Sequence, residues 1–237
     1  MKINELPTPC YVIDENIIEE NCKVLADVMK KTGCHVLLAQ KAFSNYALYP
    51  LIGKYLSGTT ASGLYEARLG REEMGRENHV FAPAYKDEDM DELVKICDHI
   101  VFNSISQLEK HKEKCRNVSI GIRVNPEFST QDGHEIYDPC GKGSRLGVTA
   151  GLLRNADLTG IDGLHFHTLC EQNSDDLKKT LDVVEEKFDF LLRKVKWVNF
   201  GGGHHITRKD YDVELLCDCI TPVSYTHLRA HETSLHL

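Results

Sequence analysis

The sequence has little that would suit a nucleic-acid surface or a membrane. Its 28 Lys and Arg residues are outnumbered by 36 Asp and Glu residues, and the formal net charge is −8. Binding to phosphate backbones needs clustered cations instead. No apolar run approaches the roughly 20 residues that span a bilayer, and the start, MKINELPTPC, has no apolar core of a secretory signal. We therefore expect a cytoplasmic protein that binds neither nucleic acid nor membrane.

Paired cysteines and several catalytic motifs are absent as well. The nine cysteines are scattered and include no CxxC pair, which predicts reduced thiols rather than a disulfide framework. The sequence also lacks a Ser/His/Asp spacing, an EF-hand loop and a Walker motif.

The sequence does contain β-rich runs that alternate with amphipathic helices. Helical spacing of apolar residues is seen in the stripe formed by Ile18, Cys22, Leu25 and Met29. Strands are predicted at 36–40, 58–62, 79–83, 99–103, 118–125, 161–167 and 195–200. Such alternation implies right-handed crossovers and a parallel sheet. Polar residues follow many of these strands rather than one switch point, which favours a (β/α) barrel of the TIM type over an open doubly wound sheet.

Only seven barrel strands can be counted, so the predicted barrel is incomplete. The loop at 126–147 is unusually long, which is typical of a functional loop. The tail at 222–237, PVSYTHLRAHETSLHL, holds three of the twelve histidines and continues no earlier pattern. We predict that the barrel occupies 15–221 and that the tail is foreign or artefactual.

Two features point to a phosphorylated aldehyde cofactor. Lys41 closes the first strand, and an amine held neutral at the mouth of a dry barrel can form an imine with pyridoxal phosphate. A snorkelling surface lysine is the alternative. Gly201, Gly202 and Gly203 follow the seventh strand, where barrels often bind phosphate, although a triple glycine can also be a tight turn.

Histidines at two strand ends allow a second interpretation. His165 and His167 share a face of the sixth strand, and His167 could stack on an aromatic cofactor ring. Together with His204 and His205 they could instead bind a metal. No carboxylate completes such a set, and triple glycine is typical of phosphate sites, so we predict no metal. Either histidine could also simply fill the barrel.

Other polar residues are open to functional and structural interpretations. Arg123 ends the fifth strand, where it could pair with a phosphate, a pyridoxal hydroxyl, a substrate carboxylate or a structural acid. Ser62 ends the second strand, and Ser62 and Glu66 could be only a helix cap. The long loop carries Asp138, Cys140, Ser144 and Arg145.

Taken together, nine strings resemble those of the carboxynorspermidine (carboxyspermidine) decarboxylases, a branch of the alanine racemase-like, fold-type III pyridoxal-phosphate enzymes. They are TPCYVID, LLAQKAF, GTTASGLYEARLG, FAPAYK, HIVFNS, IRVNPE, YDPCGKGSRLGV, GLHFHTLCEQ and NFGGGHHIT, and they extend from about Pro7 to about Thr207. A triple glycine alone is weakly specific. HFHTLCEQ, GGGHHIT and DPCxxGSRLGV together separate this branch from other decarboxylases.

The resemblance implies a role for each matching residue. Lys41 would hold pyridoxal phosphate covalently, His167 would stack on its ring, and Gly201, Gly202 and Gly203 would form the phosphate loop. Arg123 would lie near the cofactor and Arg145 near a subunit contact. Ser62, at the end of the second strand, is counted with the cofactor-binding residues. The family is dimeric and removes the carboxylate of carboxynorspermidine or carboxyspermidine, which makes norspermidine or spermidine in polyamine biosynthesis. The preferred substrate of the two stays open.

The chain also departs from this family. Relatives have an eighth strand with a Glu-Pro-Gly-type segment and a C-terminal β domain, which the run at 1–14 would join through a strand at 10–13. Neither feature is visible in the sequence, so we expect this chain to be inactive and its full-length parent to be the enzyme. A non-catalytic pyridoxal-phosphate-binding barrel and a metal-dependent hydrolase using the histidine cluster are the alternatives.

Overall fold

Eight parallel strands and the helices between them make up the computed structural model, which describes residues 5–131, 138–226 and 233–236. Side chains are described for 5–131 and 138–223. The strands are β1 His35–Ala39, β2 Gly58–Ala61, β3 Glu77–Phe81, β4 His99–Phe102, β5 Ser119–Arg123, β6 Gly163–His165, β7 Trp197–Asn199 and β8 Thr233–His236. All seven predicted barrel strands are confirmed, within a few residues at their ends.

The helices lie between the strands, as the alternating pattern predicts. They are α1 Glu15–Thr32, α2 Tyr49–Ile52, α3 Leu64–Leu69, α4 Asp87–Ile96, α5 Ile105–His111, α6 Ala150–Leu153, α7 Ser174–Leu192 and α8 Val213–Thr226. Helix α1 begins where the Asp14 side chain accepts a hydrogen bond from the Asn16 amide, and it ends at Gly33, whose φ is 73°. None of the helices in the described ranges is both long and apolar enough to cross a bilayer.

The strand order is β1 to β8 in sequence, and the sheet closes on itself. The prediction of a parallel (β/α) barrel is confirmed. Where the sequence predicts about seven strands and an incomplete ring, the structure adds an eighth strand, because residues 233–236 of the tail pair with both β1 and β7 and close the sheet. A seven-strand ring would leave two edges with unpaired backbone groups, and this short strand satisfies them.

Helix α8 also continues into the tail, beyond the predicted boundary at 222, and it contains Pro222. Its apolar residues Leu216, Ile220 and Val223 recur with helical spacing and are buried in the core. This packing explains why the helix extends past the barrel boundary. The foreign origin of the tail stays a prediction. Residues 227–232 and 237 lie outside the described part of the chain.

The predicted strand at 10–13 is not formed. These residues have no strand pairing, and Tyr11 and Val12 are exposed. An isolated strand has no partner for its backbone groups, which is why this segment does not become one. The described residues contain no separate β domain that it could join, and its proposed role in joining one stays a prediction.

Side chains alternate between two cores. Residues such as Val80, Ile100, Ile122 and Leu164 point out to the helices and form the main apolar cluster. Their neighbours in sequence point into the barrel. Trp197 fills much of the interior: a Cβ placed on Gly163 would lie 2.0 Å from Cε2 of Trp197, and one on Gly121 would lie 2.3 Å from its Cη2. The two glycines make room for the indole.

Candidate active site

A cavity of about 160 Å³ opens at the carboxyl end of the barrel, the end where barrel enzymes place their active sites. Six of the seven predicted site residues have side chains or backbone at its wall: Lys41, Ser62, Arg123, His167, Gly202 and Gly203. Gly201 lies behind this wall and is buried. The structure therefore brings together residues that span more than half of the sequence.

Lys41 lies at the mouth of this cavity, directly after β1. The strand pairing extends one residue further, because the Gln40 amide donates to the Thr60 carbonyl oxygen at 3.2 Å. The chain then turns, with the Ala42 amide donating to the Ala39 carbonyl oxygen at 3.0 Å. Lys41 is exposed rather than enclosed, so the expectation of a dry surrounding for its amine is wrong for this chain. Its amine remains at the rim.

Arg123 is a buried cation at the floor of the cavity. The residue is 3 % exposed, its Nη2 donates to the His167 carbonyl oxygen at 3.1 Å, and its guanidinium carbon lies 4.8 Å from the centre of the Phe81 ring. Burial lowers the pKa of Arg123 to about 10. No ion pair joins it to a carboxylate of the described residues. A buried, unpaired cation favours binding of an anion.

His167 connects the ends of β6 and β7. Its Nδ1 accepts a hydrogen bond of 2.8 Å from the Gly202 amide. Burial, helped by the nearby charges of Arg123 and Lys41, lowers the pKa of His167 to about 3. The ring is therefore neutral at pH 7, with its proton assigned to Nε2 by the Gly202 bond.

The triple glycine passes unusually close to the end of β6. Gly201 has a φ of 72° and Gly203 a φ of 90°. A Cβ on Gly201 would lie 2.5 Å from the Phe166 carbonyl oxygen, and one on Gly203 would lie 2.2 Å from that of Leu169. Only glycine can take these positions, both for conformation and for space.

The amides of this glycine loop are partly committed to the protein. The Gly201 amide donates to Asn199 Oδ1 at 2.8 Å, and the Gly202 amide donates to His167. A phosphate at this loop would therefore take the Gly203 amide or displace one of these bonds. The tight-turn interpretation explains part of the glycine pattern by itself.

Ser62 contributes at the wall through position rather than through its hydroxyl. Its amide donates to Glu66 Oε2 at 2.6 Å, across the start of α3. The acceptor is the Glu66 side chain, and Ser62 lies one residue before the N-cap Gly63, so the Ser62 side chain itself does not cap α3. The residue is exposed and borders the cavity, so it can also contact a ligand there.

The long loop is described at 126–131 and 138–147, and residues 132–137 lie outside the described part. Asp138 caps its turn by accepting from the Cys140 amide at 2.8 Å. Asn103, after β4, ties the loop down: its Nδ2 donates to the Arg145 carbonyl oxygen at 2.9 Å and its Oδ1 accepts from the Gly147 amide at 2.8 Å. Burial raises the pKa of Cys140 to about 12, which makes a nucleophilic thiolate unfavourable.

The four histidines considered as a metal set do not converge. The buried His204 bonds through Nδ1 to the Tyr211 hydroxyl at 2.9 Å, whereas His205 is exposed. His165 packs in the barrel, with its ring centre 5.1 Å from that of Phe81. Among the described residues, the group with metal-ligand spacing lies elsewhere.

Sequence reasoning missed Phe81, which places its ring against both His165 and Arg123 at the cavity floor. Phe81 ends β3 and so occupies the same end of the barrel as the other site residues. That strand-end position was the available signal. From the sequence, an apolar residue at such a position is indistinguishable from a core residue. Only its packing across the barrel shows that it also lines the cavity.

The fold of this barrel is shared with solved decarboxylase structures. The barrel superposes on the diaminopimelate decarboxylase of Helicobacter pylori complexed with L-lysine with a TM-score of 0.75, at 15% identity over 98% of this chain and 64% of that one. At this identity the match shows the fold alone. No family model matches the chain.

More similar proteins define the relationship further. A crystal structure of carboxynorspermidine decarboxylase from Campylobacter jejuni, complexed with norspermidine, matches with a TM-score of 0.89 and 42% identity over 98% of this chain and 59% of that one. The curated carboxynorspermidine/carboxyspermidine decarboxylase of Campylobacter jejuni is 46% identical over 216 residues, which are 91% of this chain and 56% of the relative. The carboxyaminopropylagmatine decarboxylase of Synechocystis is 37% identical over 90% of this chain and 55% of its own length.

The resemblance found in the sequence is therefore confirmed: the chain is a homologue of the carboxynorspermidine/carboxyspermidine decarboxylases. The homology covers nearly all of this chain. The chain spans a little over half the length of the curated relatives it matches.

Proposed function

We propose that the parent of this chain is a pyridoxal-phosphate-dependent carboxy-lyase that decarboxylates carboxynorspermidine or carboxyspermidine to norspermidine or spermidine. The names of its relatives support this reaction class, and norspermidine is the molecule complexed with the Campylobacter jejuni structure. We further propose a cytoplasmic homodimer, with polyamines as the small-molecule ligands. The cytoplasmic location is supported by nine free cysteines.

The observation that carries the proposal is the meeting of an amine, a buried cation and a glycine loop around one cavity. Lys41, Arg123 and Gly203 come from the ends of β1, β5 and β7 and all line it. The amine can form an imine with an aldehyde, and the cation and the backbone amide can bind an anionic phosphate or carboxylate. The residues present therefore fit pyridoxal phosphate.

Each residue would then have a defined task. Lys41 would supply the amine that bonds the cofactor and yields it to the substrate amine. Arg123 would hold an anionic oxygen of the cofactor or substrate in place, since no carboxylate of the described residues competes for it. His167, neutral and fixed through Gly202, would present an aromatic ring without adding charge. Pyridoxal phosphate, when bound, supplies the electron sink that makes loss of CO₂ feasible.

We expect the 237-residue chain by itself to release little CO₂. The segment that forms β8 here, Thr233–His236, contains no Asp or Glu that could pair with a pyridine nitrogen. Substantial CO₂ release from carboxynorspermidine by the purified chain would contradict this expectation. The parent protein should release CO₂ from carboxynorspermidine or carboxyspermidine.

The test of the amine assignment is reductive trapping. The purified chain is incubated with substoichiometric pyridoxal phosphate, reduced with borohydride and mapped by peptide mass spectrometry. The expected adduct is on Lys41. Lys41→Arg should remove it, whereas Lys54→Arg, which changes an exposed lysine outside the cavity, should leave it in place. An adduct spread evenly over surface lysines, or one that survives Lys41→Arg, would overturn the assignment.

A non-catalytic pyridoxal-phosphate-binding barrel is the second candidate. The closed eight-stranded ring favours it, because such proteins are single barrels that do not depend on another domain. The relatives with decarboxylase names favour the first proposal. Assay of the parent protein separates the two: cofactor trapping at Lys41 without any turnover of either carboxylated polyamine would support the non-catalytic function.

A further inference from the structure

Residues with metal-binding side chains meet at the amino end of the barrel, opposite the cavity described above. Glu77 and His79 are two apart on β3 and share its inner face, while Asn78 between them points outward and donates to the Ala67 and Ile96 carbonyl oxygens. On the neighbouring strand, His99 is in register with His79. The strand pairing therefore holds three potential ligands side by side.

The distances between these side chains are short. His79 Nε2 lies 3.0 Å from Glu77 Oε1 and 2.5 Å from His99 Nδ1. His99 Nδ1 lies 3.8 Å from Glu77 Oε1. One ligand atom from each residue can be chosen so that all lie within 4.8 Å of one another. Among residues 5–131 and 138–223, no other group of three or more His, Cys, Asp or Glu has this spacing.

We propose that Glu77, His79 and His99 bind one divalent transition-metal ion of the zinc class. Two imidazoles and a carboxylate form a common zinc ligand set, with a fourth position left for water. None of the three lines the cofactor cavity. The site is therefore separate from the proposed decarboxylase site, and its failure would leave that proposal intact.

A fourth side chain is placed to support the carboxylate. His35 at the start of β1 has its Nδ1 2.8 Å from Glu77 Oε2, the oxygen that does not face His79. Such outer partners orient metal-binding groups and raise their affinity. On the inner side, the Trp197 ring centre lies 5.0 Å from that of His99 and provides an apolar wall.

Solvent can reach the cluster. The side chain of Glu77 is 17% exposed and that of His99 is 10% exposed, so an ion can enter from the amino end.

Metal binding requires only a small rearrangement. Two nitrogens on a tetrahedral zinc ion are about 3.3 Å apart, given zinc–nitrogen bonds of about 2.0–2.1 Å. The present separation of 2.5 Å between His79 Nε2 and His99 Nδ1 must therefore widen by less than about 1 Å. The competing explanation is a hydrogen-bonded network in the barrel that never takes up an ion.

The experiment titrates the EDTA-treated 237-residue chain with Co²⁺, followed by visible absorption, and then displaces it with Zn²⁺. Two of the three tail histidines are removed by working in a His227→Gln/His231→Gln background, and His236 is kept because it lies in β8. We expect one equivalent of Co²⁺, and a loss of affinity of about 100-fold or more in Glu77→Gln and in His99→Gln. His35→Gln should cost about tenfold. His205→Gln, which removes an exposed imidazole elsewhere, is the matched control and should bind Co²⁺ as tightly as the unsubstituted background chain does.

Folding of each variant is checked by far-UV circular dichroism, and zinc should raise the unfolding temperature of the unsubstituted chain but not that of Glu77→Gln. Should a variant fail to fold, X-ray absorption of the zinc-loaded unsubstituted chain identifies the ligand atoms directly. Nitrogen and oxygen neighbours at about 2.0–2.2 Å support the site, whereas sulfur neighbours at about 2.3 Å overturn it. Absence of stoichiometric binding, or equal binding by Glu77→Gln and His99→Gln, also overturns it.

Discussion

The Gly202 amide donates a 2.8 Å hydrogen bond to Nδ1 of His167, and this bond joins the glycine loop after β7 to the segment after β6. It fixes the orientation of the imidazole and one amide of the loop together. A substitution at His167 should therefore alter the position of the glycine loop as well as the ring itself.

The first prediction concerns this bond. His167→Phe keeps an aromatic ring but leaves the Gly202 amide without its acceptor, so the free energy of unfolding should fall by about 1–3 kcal/mol. His167→Asn keeps an acceptor near the position of Nδ1 and should lose less than His167→Phe. Urea unfolding followed by circular dichroism measures both, with His205→Asn as the exposed control. Equal stability of His167→Phe and the parent chain would show that the bond contributes nothing.

The second prediction concerns the packing of Trp197. Gly163→Ala would place a Cβ 2.0 Å from Cε2 of the buried indole, and the resulting overpacking should lower the free energy of unfolding by about 1–3 kcal/mol. Gly151→Ala in α6 is the matched control: its Cβ meets nothing within 4 Å, and alanine should stabilise the helix by up to about 1 kcal/mol.

A second variant tests the cause of that loss. Trp197→Phe in the Gly163→Ala background relieves the clash, so the double variant should recover part of the stability relative to the sum of the two single changes. Chemical unfolding of all four chains gives the coupling between the two sites. Strict additivity would mean that Gly163 is required for a reason other than space for the indole.

The third prediction is a pH dependence of stability. Burial lowers the pKa of His204 to about 4 and that of His167 to about 3, whereas an unfolded histidine has a pKa of about 6.5. Below about pH 6.5 the unfolded chain therefore binds more protons than the native chain, and the free energy of unfolding should decrease as the pH falls. The slope of the free energy of unfolding against pH is obtained by measuring unfolding between about pH 7.5 and 5.0, a range that brackets the unfolded histidine pKa of about 6.5.

The contribution of one residue can be isolated in the same experiment. His204→Asn removes the titrating imidazole and keeps an amide near Nδ1 to bond with Tyr211. Its stability should depend less steeply on pH, by up to about 1.4 kcal/mol per pH unit. His205→Asn should keep the parent slope. If His204→Asn also keeps it, the imidazole of His204 is not held neutral by the fold.

Much of the architecture was predictable from local patterns. The alternation of β-rich runs with amphipathic helices predicted the seven strands β1 to β7, and helical spacing predicted α1. Strand-end positions predicted that Lys41, Arg123 and His167 would share one end of the barrel. Closure of the ring could not be predicted in this way. Thr233–His236 lies in a tail whose sequence has no hydrophobic pattern that would distinguish a strand from an irregular segment.

The parallel barrel, the end at which its polar residues gather and the homology to decarboxylases can all be read from the chain, because periodicity, strand-end position and motif strings are local properties. The contacts of Arg123 with Phe81, of Gly202 with His167, and of Glu77 and His79 with His99 arise only when the chain folds. These contacts depend on the register between neighbouring strands and on the packing across the barrel. A shift of one residue in register would turn every side chain of a strand to its other face, and no local pattern specifies which neighbours then meet.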